Sequence, residues 1–350
     1  MNKLVVAAAA LSVACGVSAM VDSRPAPAQA ATSPTTLRVG SFNIQSVSLD
    51  KTSGLQRPWR QRRATVVSQV MGEKLDVLGI QEANPSKTFI SRLVDGANQY
   101  RDVQIGLNKA GGNFALTNPY PYNCVNSGTT YKCVYKNRHA SHGDRILYNT
   151  STLSLVSEGT TRYSVQGPGA DPRFAVWAVL KVRATGEQFL FVNTHLRAGP
   201  ASTRRSQWYQ MMSRIDAVAN ARPVVAVGDF NVHKFDPLSA EMLPAMRNAG
   251  YGDVLNQRYE VNPVASPRAV STVNGWFNTA NHLSGDTRDF SYYKNHAKTG
   301  NNIDWIFASN ELRVDQWKVV VNYDPDTLRM RGTLPSDHNM VRATLSLTGS

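Results

Sequence analysis

Pro223-Val-Val-Ala-Val-Gly-Asp-Phe-Asn231 is a short apolar run that stops at Gly228-Asp-Phe-Asn231. A near-continuous β-branched run of this length reads as a strand buried on both faces. The glycine turn then presents Asp229 and Asn231. Strand side chains alternate with period two, so the pair points to one side if the backbone stays extended. A carboxylate and an amide placed this way can hold a water molecule and aim it. Asp and Asn are also good turn formers, so the stretch alone reads equally well as an ordinary strand exit. The same grammar, however, recurs along the chain.

Leu37 to Phe42 alternates like a strand and ends at Asn43. Leu75 to Ile80 is a second buried strand, ending in Gln81-Glu82. Arg173 to Leu180 and Gln188 to Val192 form a hairpin around Thr185-Gly186, and the second arm ends in Asn193-Thr-His195. Ile303 to Phe307 is a strand that carries Asp304 inside it, and Ser336-Asp337-His338 opens the last one, which runs to Leu347. Leu312 to Val321 is a further strand. Helices are expected over Pro58–Gly72, Pro85–Ala97, Ser202–Ala221 and Pro237–Ala249. Arg101 to Ile105 reads as a short strand, and Arg145–Tyr148 with Leu153–Val156 as a strand pair. Residues 108–143 and 256–300 are long polar loops, and loops of that length inside a domain are usually functional or disordered.

Each polar strand end has an ordinary reading, as a structural histidine or a first-turn charge. Asp304 differs, because a carboxylate within an apolar strand needs a partner, and an imidazole is the obvious one. As a set the residues make chemical sense. Carboxylates and amide oxygens without cysteine are hard ligands, suited to Mg²⁺, Mn²⁺ or Ca²⁺. Two histidines beside such an ion suit phosphate ester cleavage.

In this order Phe42-Asn43, Gln81-Glu82, Asn193-Thr-His195, Gly228-Asp-Phe-Asn231, Ile303-Asp304 and Ser336-Asp337-His338 resemble the endonuclease/exonuclease/phosphatase superfamily, the DNase I-like fold. The resemblance spans residues 37–347. It implies an α/β protein, a four-layered α/β/β/α sandwich of two mixed β-sheets packed face to face, with the site at one edge. It implies Glu82 as the main metal ligand, Asp337 as a carboxylate near the metal, and Asn43 as a metal- or phosphate-orienting amide. Asp229 and Asn231 would orient the attacking water, and His338 with Asp304 would form an imidazole–carboxylate dyad. His195 matches the DNase I and sphingomyelinase branches, whereas the abasic-site nuclease branch has asparagine there. Arg173 would contact phosphate. Around Ser141-His-Gly-Asp-Arg145 the chain departs from the family, and Asp144 could partner His195 or be an ordinary loop charge.

The 350 residues could hold one domain or two, and no linker or repeat splits residues 37–348, which read as one catalytic domain. Met1-Asn-Lys3, the apolar stretch Leu4–Val21 and Ala28-Gln-Ala30 read as a secretory signal over residues 1–30, with 31–36 a short flexible start. Secretion leaves two cysteines, Cys124 and Cys133, which in an oxidising compartment read as one disulfide around a turn at Asn126–Gly128. The formal charge of +13, lowered by a single unit when residues 1–30 are removed, attracts polyanions. Nucleic acid is therefore the expected substrate of a secreted nuclease, helped by Tyr120, Tyr122, Tyr131, Tyr135, Lys136 and Arg138. Membrane lipid is the alternative, with Trp276-Phe277 as an aromatic tip for a sphingomyelinase-type enzyme. A third class, a binding protein on a decayed scaffold, fits less well, because the histidines and Glu82 are all present. No obligate protein partner is indicated, and a monomer is expected.

Overall fold

The computed structural model describes residues 35–52, 54–167, 169, 171–255, 268–284 and 300–347. The expected signal segment, and parts of the 256–300 loop, lie outside the described residues. The elements run β1 (Thr35–Asn43), α1 (Trp59–Gly72), β2 (Val77–Gln81), α2 (Gln99–Lys109), β3 (Phe114–Leu116), β4 (Arg145–Asn149), β5 (Leu153–Arg162), β6 (Phe174–Val182) and β7 (Gln188–His195). They continue with α3 (Ala201–Ala219), β8 (Val224–Asp229), α4 (Pro237–Asn248), β9 (Tyr251–Asp253), β10 (Ser271–Val273), β11 (Asp304–Ser309), β12 (Arg313–Val320) and β13 (Met340–Leu347).

Two mixed sheets result. One has the order β10-β12-β13-β1-β2-β4-β3, the other β5-β6-β7-β8-β11-β9. Alternation along the strands builds the layers. In β7, Phe189 and Phe191 join the core between the sheets, while Leu190 and Val192 face the helices. In β8, Val225 and Val227 point inward and Val224 and Ala226 outward. The outer face of the second sheet is covered by Trp208, Met211 and Ile215 of α3 and by Leu238, Met242 and Met246 of α4. Trp59, Val66 and Val70 of α1 and Tyr100, Val103 and Leu107 of α2 cover the first sheet. This is the expected α/β/β/α sandwich.

Three local expectations change. Arg101–Ile105 is helical, part of α2, because the Asn98 side chain caps the helix by accepting from Arg101 N–H and Asp102 sits in its first turn. The five-residue alternation there is half of a helical face. The helix expected over Pro85–Ala97 shrinks to a 3₁₀ segment, Lys87–Arg92. β4 and β5 follow each other in sequence but do not pair: β4 lies between β2 and β3, and β5 edges the other sheet. The hairpin of β6 and β7 stands as expected.

Where the sheets meet near the site, the contact is polar. Gln81 Nε2 donates to Asn193 Oδ1 at 2.7 Å, and Asn193 Nδ2 donates to the carbonyls of Ile80 and Arg145, both at 2.9 Å. This buried amide pair links β2 to β7. It leaves no room at Gly79, where a Cβ would lie 2.6 Å from Val227 Cγ2 and 2.7 Å from Asn193 Oδ1. Gly79→Ala should therefore cost about 1–3 kcal/mol through overpacking, read as a lowered urea midpoint. A variant as stable as the parent would show that the sheets are not closely apposed there.

Candidate functional site

Three strands of the second sheet set a row of polar residues side by side. Register pairs His195 with Asp229 across β7 and β8, and Asp229 with Asp304 across β8 and β11. Gly228 makes the row possible. Its φ is +155°, and a Cβ there would sit 2.0 Å from the Thr194 carbonyl oxygen of β7. The chain then turns instead of staying extended as the sequence reading required. Asn231 has φ +50°, and its N–H donates to Asp229 Oδ1 at 2.9 Å. Through that turn both side chains still reach one ring: Asp229 Oδ2 lies 3.4 Å and Asn231 Nδ2 3.2 Å from His195 Nε2.

The first sheet supplies the opposite wall. Asn43, the last residue of β1, donates through Nδ2 to Glu82 Oε1 and to Asp229 Oδ2, both at 3.1 Å. Its Oδ1 accepts the Gln45 N–H, so the nitrogen, not the oxygen, faces the carboxylates. Asn43 thus orients the two acids through its nitrogen, and its oxygen is turned away from the place between them. Glu82 sits in left-handed conformation, φ +61°, a strained state for a residue with a Cβ. It is held there by Ala83 N–H donating to Gly143 O at 2.9 Å and by Ser46 N–H donating to Glu82 Oε2 at 3.1 Å.

His338 stands against two acids of the second sheet. Its Nδ1 lies 2.8 Å from Asp304 Oδ2, and its Nε2 lies 3.7 Å from Asp229 Oδ2. The segment before it is pinned by Asn281 N–H and His282 N–H, which donate to Asp337 O at 2.8 and 3.1 Å. Burial alone would depress the His338 imidazolium, but Asp304, Asp229 and Asp337 outweigh it and hold the ring well above its ordinary range. Asp229 is pushed up by burial and by Asp304, against the pull of His338, the Asn231 N–H and Asn43. His195 goes the other way: burial, then the charges of Arg173 and His338, hold it well below its ordinary range. Arg173 Nη1 lies 2.6 Å from His195 Nδ1. An arginine can only donate, so Nδ1 accepts and the proton of the neutral ring is on Nε2.

The sequence reading therefore brings Asn43, Glu82, His195, Asp229, Asn231, Asp304 and His338 together, with Arg173 behind His195. Asp337 borders the group without a direct bond to Glu82 among the described residues. Asp144 is not the partner of His195, since Arg173 takes that ring nitrogen. The side chain of Asp144 is buried and lines a cleft of about 190 Å³ with Glu82, His142, Gly143, Asp171 and Arg173.

One residue escaped the sequence reading. Arg62 of α1 is fully buried and reaches under the site. It donates to the carbonyls of Ile44, Gln45 and Pro335 and to Asp50 Oδ1, tying the exit of β1 to the segment that carries His338. Asp337 and Glu82 both bear on its charge. The only signal was spacing: Trp59, Arg62 and Val66 share one helical face, so the arginine lies on the apolar side.

Hard oxygen donors and a half-buried Glu82 lining the cleft suit a divalent cation. Ligand atoms of Asp229, Asp304 and His338 also lie within 4.8 Å of one another, and Asp304 Oδ1 is buried without a hydrogen bond. His338 Nδ1 and Asp304 are already bonded to each other, and of Glu82, Asp229 and Asp304 it is Glu82 that lines the open cleft.

Burial pushes Asp144 up to about 8 from an ordinary 3.8, against Arg173 and Arg145, with Glu82 and Asp229 adding to the rise. A carboxyl raised by folding contributes stability that is full below its unfolded pKa and is lost as pH climbs through the folded one. Asp144→Asn has nothing to lose in that window. In chelator, its melting temperature relative to the parent should rise by roughly 5 °C or more between pH 5 and pH 9. A constant difference would mean that the carboxyl is solvated.

Comparison with known proteins agrees with this fold. Residues 40–338 match the family described as Endonuclease/Exonuclease/phosphatase family. Nocturnin of Drosophila melanogaster is 23% identical over 211 residues, 58% of this chain and 29% of that protein, so the match spans under a third of the relative's length. Among solved structures, an endonuclease/exonuclease/phosphatase family protein from Bacteroides thetaiotaomicron superposes with a TM-score of 0.61 at 20% identity, covering 90% of this chain and 99% of that one. TDP2 of D. rerio, complexed with a single-strand DNA product, gives 0.54 at 16% identity, covering 89% and 99%. With its sandwich fold and this family match over most of its length, the chain belongs to the endonuclease/exonuclease/phosphatase family.

Proposed function

We propose that this chain is a secreted, divalent-cation-dependent phosphodiesterase that hydrolyses nucleic acid. The observation that carries the reading is Asp229, whose one carboxylate meets His195, His338 and the Asn43–Glu82 pair at the edge shared by both sheets. A water molecule held between Asp229 and Asn231 would lose its proton to Asp229 as its oxygen attacks phosphorus. His338, oriented by Asp304, donates to the phosphoryl or leaving oxygen through Nε2. Arg173 holds His195 through Nδ1, which leaves the Nε2 side of that ring to donate at the site, and Arg173 Nε is buried without a partner of its own.

Glu82, with Asp337 beside it, would hold the cation, and Asn43 would fix the angle between the two walls. Mg²⁺ is the expected ion, with Mn²⁺ or Ca²⁺ as alternatives, and when bound it would polarise the phosphoryl oxygens. Nucleic acid is favoured as substrate by the net charge of +13 and by the single-strand DNA product carried by the similar TDP2 structure. The lipid reading has less support. Phe277 is fully buried against Tyr323, ring centroids 4.9 Å apart, so Trp276, 39% exposed, is the one member of the pair at the surface. Export is supported by the N-terminal sequence and by the disulfide between Cys124 and Cys133. A monomer would suffice, since every proposed group comes from one chain.

Purified protein should cleave plasmid DNA or RNA with Mg²⁺ and lose that activity in EDTA. Glu82→Gln should remove nearly all of it with the fold intact, and His195→Ala and His338→Ala should each cost roughly 10²-fold or more. Asp304→Asn should be a milder form of the His338 lesion. Full activity in excess chelator would refute the cation site. Hydrolysis of sphingomyelin vesicles or inositol phosphates without any on nucleic acid would refute the substrate.

A further inference from the structure

Between Ala110 and Gly143 the chain carries Lys132, Lys136 and Arg138 and not one Asp or Glu. Within it, Cys124 and Cys133 close a hairpin: Val125 N–H donates to Val134 O at 2.8 Å and Lys136 N–H to Asn123 O at 3.1 Å. Its base is fixed by Asn123, whose Oδ1 accepts from Arg138 N–H at 2.9 Å and Ala140 N–H at 3.0 Å. The rigid frame nevertheless turns apolar side chains outward. Tyr131 is 73% exposed and Tyr135 74%, with Tyr120, Val125 and Val134 also at the surface. Lys132 Nζ lies 5.4 Å from the Tyr131 ring centre, and the Arg138 guanidinium 4.9 Å from that of Tyr120. None of the three cations forms an ion pair among the described residues.

Exposed aromatic faces beside unpaired cations, on a braced hairpin, have no role in the core. Stacking platforms interleaved with positive charge fit an unpaired polynucleotide strand, whose bases stack and whose phosphates are neutralised. An anionic membrane would attract the cations, but rings standing on a stiff polar hairpin match separate bases better than an acyl layer. The hairpin also adjoins the cleft. Arg138 is four residues before His142, a cleft-lining residue, and the buried Arg145 guanidinium donates to Tyr120 O at 3.2 Å.

We propose that the disulfide-closed hairpin 120–138 is a binding arm for single-stranded nucleic acid, which it guides along the cleft. This rests on the reading of that cleft as a phosphodiester site.

The test is fluorescence anisotropy of the full secreted chain with a labelled 16-nucleotide single-stranded DNA and its duplex, in EDTA so that nothing is cleaved. The parent should prefer the single strand. Tyr131→Ala with Tyr135→Ala should weaken single-strand binding roughly tenfold or more and leave the duplex nearly unchanged. Lys132→Gln, Lys136→Gln and Arg138→Gln together should weaken both and flatten the dependence of log affinity on log salt by about 2. Turnover of bis-p-nitrophenyl phosphate with Mg²⁺ should stay at the parent rate in both variants. If the tyrosine variant binds the single strand like the parent, or if the protein binds phosphatidylglycerol vesicles and not the oligonucleotide, the arm is refuted while small-diester turnover leaves the site standing. If strand binding behaves as stated but no phosphodiester is ever hydrolysed, the site reading fails and the arm stands.

Discussion

The side-chain amide of Asn43 donates to one carboxylate from each sheet, Glu82 beyond β2 and Asp229 at the end of β8. Everything else at the site is arranged around that bridge. Two acids that would repel across the sandwich edge are instead held 3.1 Å from the same nitrogen. The bridge requires the sheets to meet in one register, which the Gln81–Asn193 amide pair fixes one residue deeper. It also requires β1 to end at a set height, which Arg62 secures by donating to Ile44 O and Gln45 O. A buried guanidinium is costly unless its donors are used, and here they hold down the loops that carry the chemistry.

Around this bridge the fold concentrates charge where water is scarce. Asp229 and Asp304 are register neighbours and both buried, a pairing that would be prohibitive if both were ionised alone. His338 lies against both and resolves the conflict, as its upward shift reflects. His195 is also buried, and burial together with the Arg173 guanidinium at Nδ1 shifts it the opposite way, although both rings lie near Asp229. The left-handed backbone at Glu82 and Asn231 belongs to the same economy of space, since each turns a strand exit back toward the centre.

Much of this was legible in the sequence, for a physical reason. A strand buried on both faces reads as an apolar run, so a polar residue that ends or interrupts it stands out: Asn43, Glu82, His195 and Asp229 stand at strand ends and Asp304 inside a strand. Cys124 and Cys133 were paired by spacing, and the β6–β7 hairpin by its turn. What failed depended on distant contacts. Whether β4 and β5 pair is settled by which sheet each can join, not by their adjacent positions. The helix at Gln99–Lys109 was hidden because five residues of it alternate like a strand. Arg62 stands among Arg57, Arg60 and Arg63 at the start of α1, and residue type does not set it apart from them. Its role becomes visible only when the carbonyls it serves, some 17 to 273 residues away, are brought to it. The contact of Arg173 with His195 was equally out of reach, since the resemblance suggested a phosphate partner and not a ring nitrogen.

Groups from both sheets act as one site. A double-mutant cycle on Glu82→Gln and Asp229→Asn probes that coupling, with kcat/KM for a phosphodiester measured at saturating Mg²⁺. Groups that act as a unit are strongly non-additive. If the two acids act together, the double variant is about as slow as the slower single variant. Losses that simply multiply would show that Glu82 and Asp229 act independently, and would contradict the shared site.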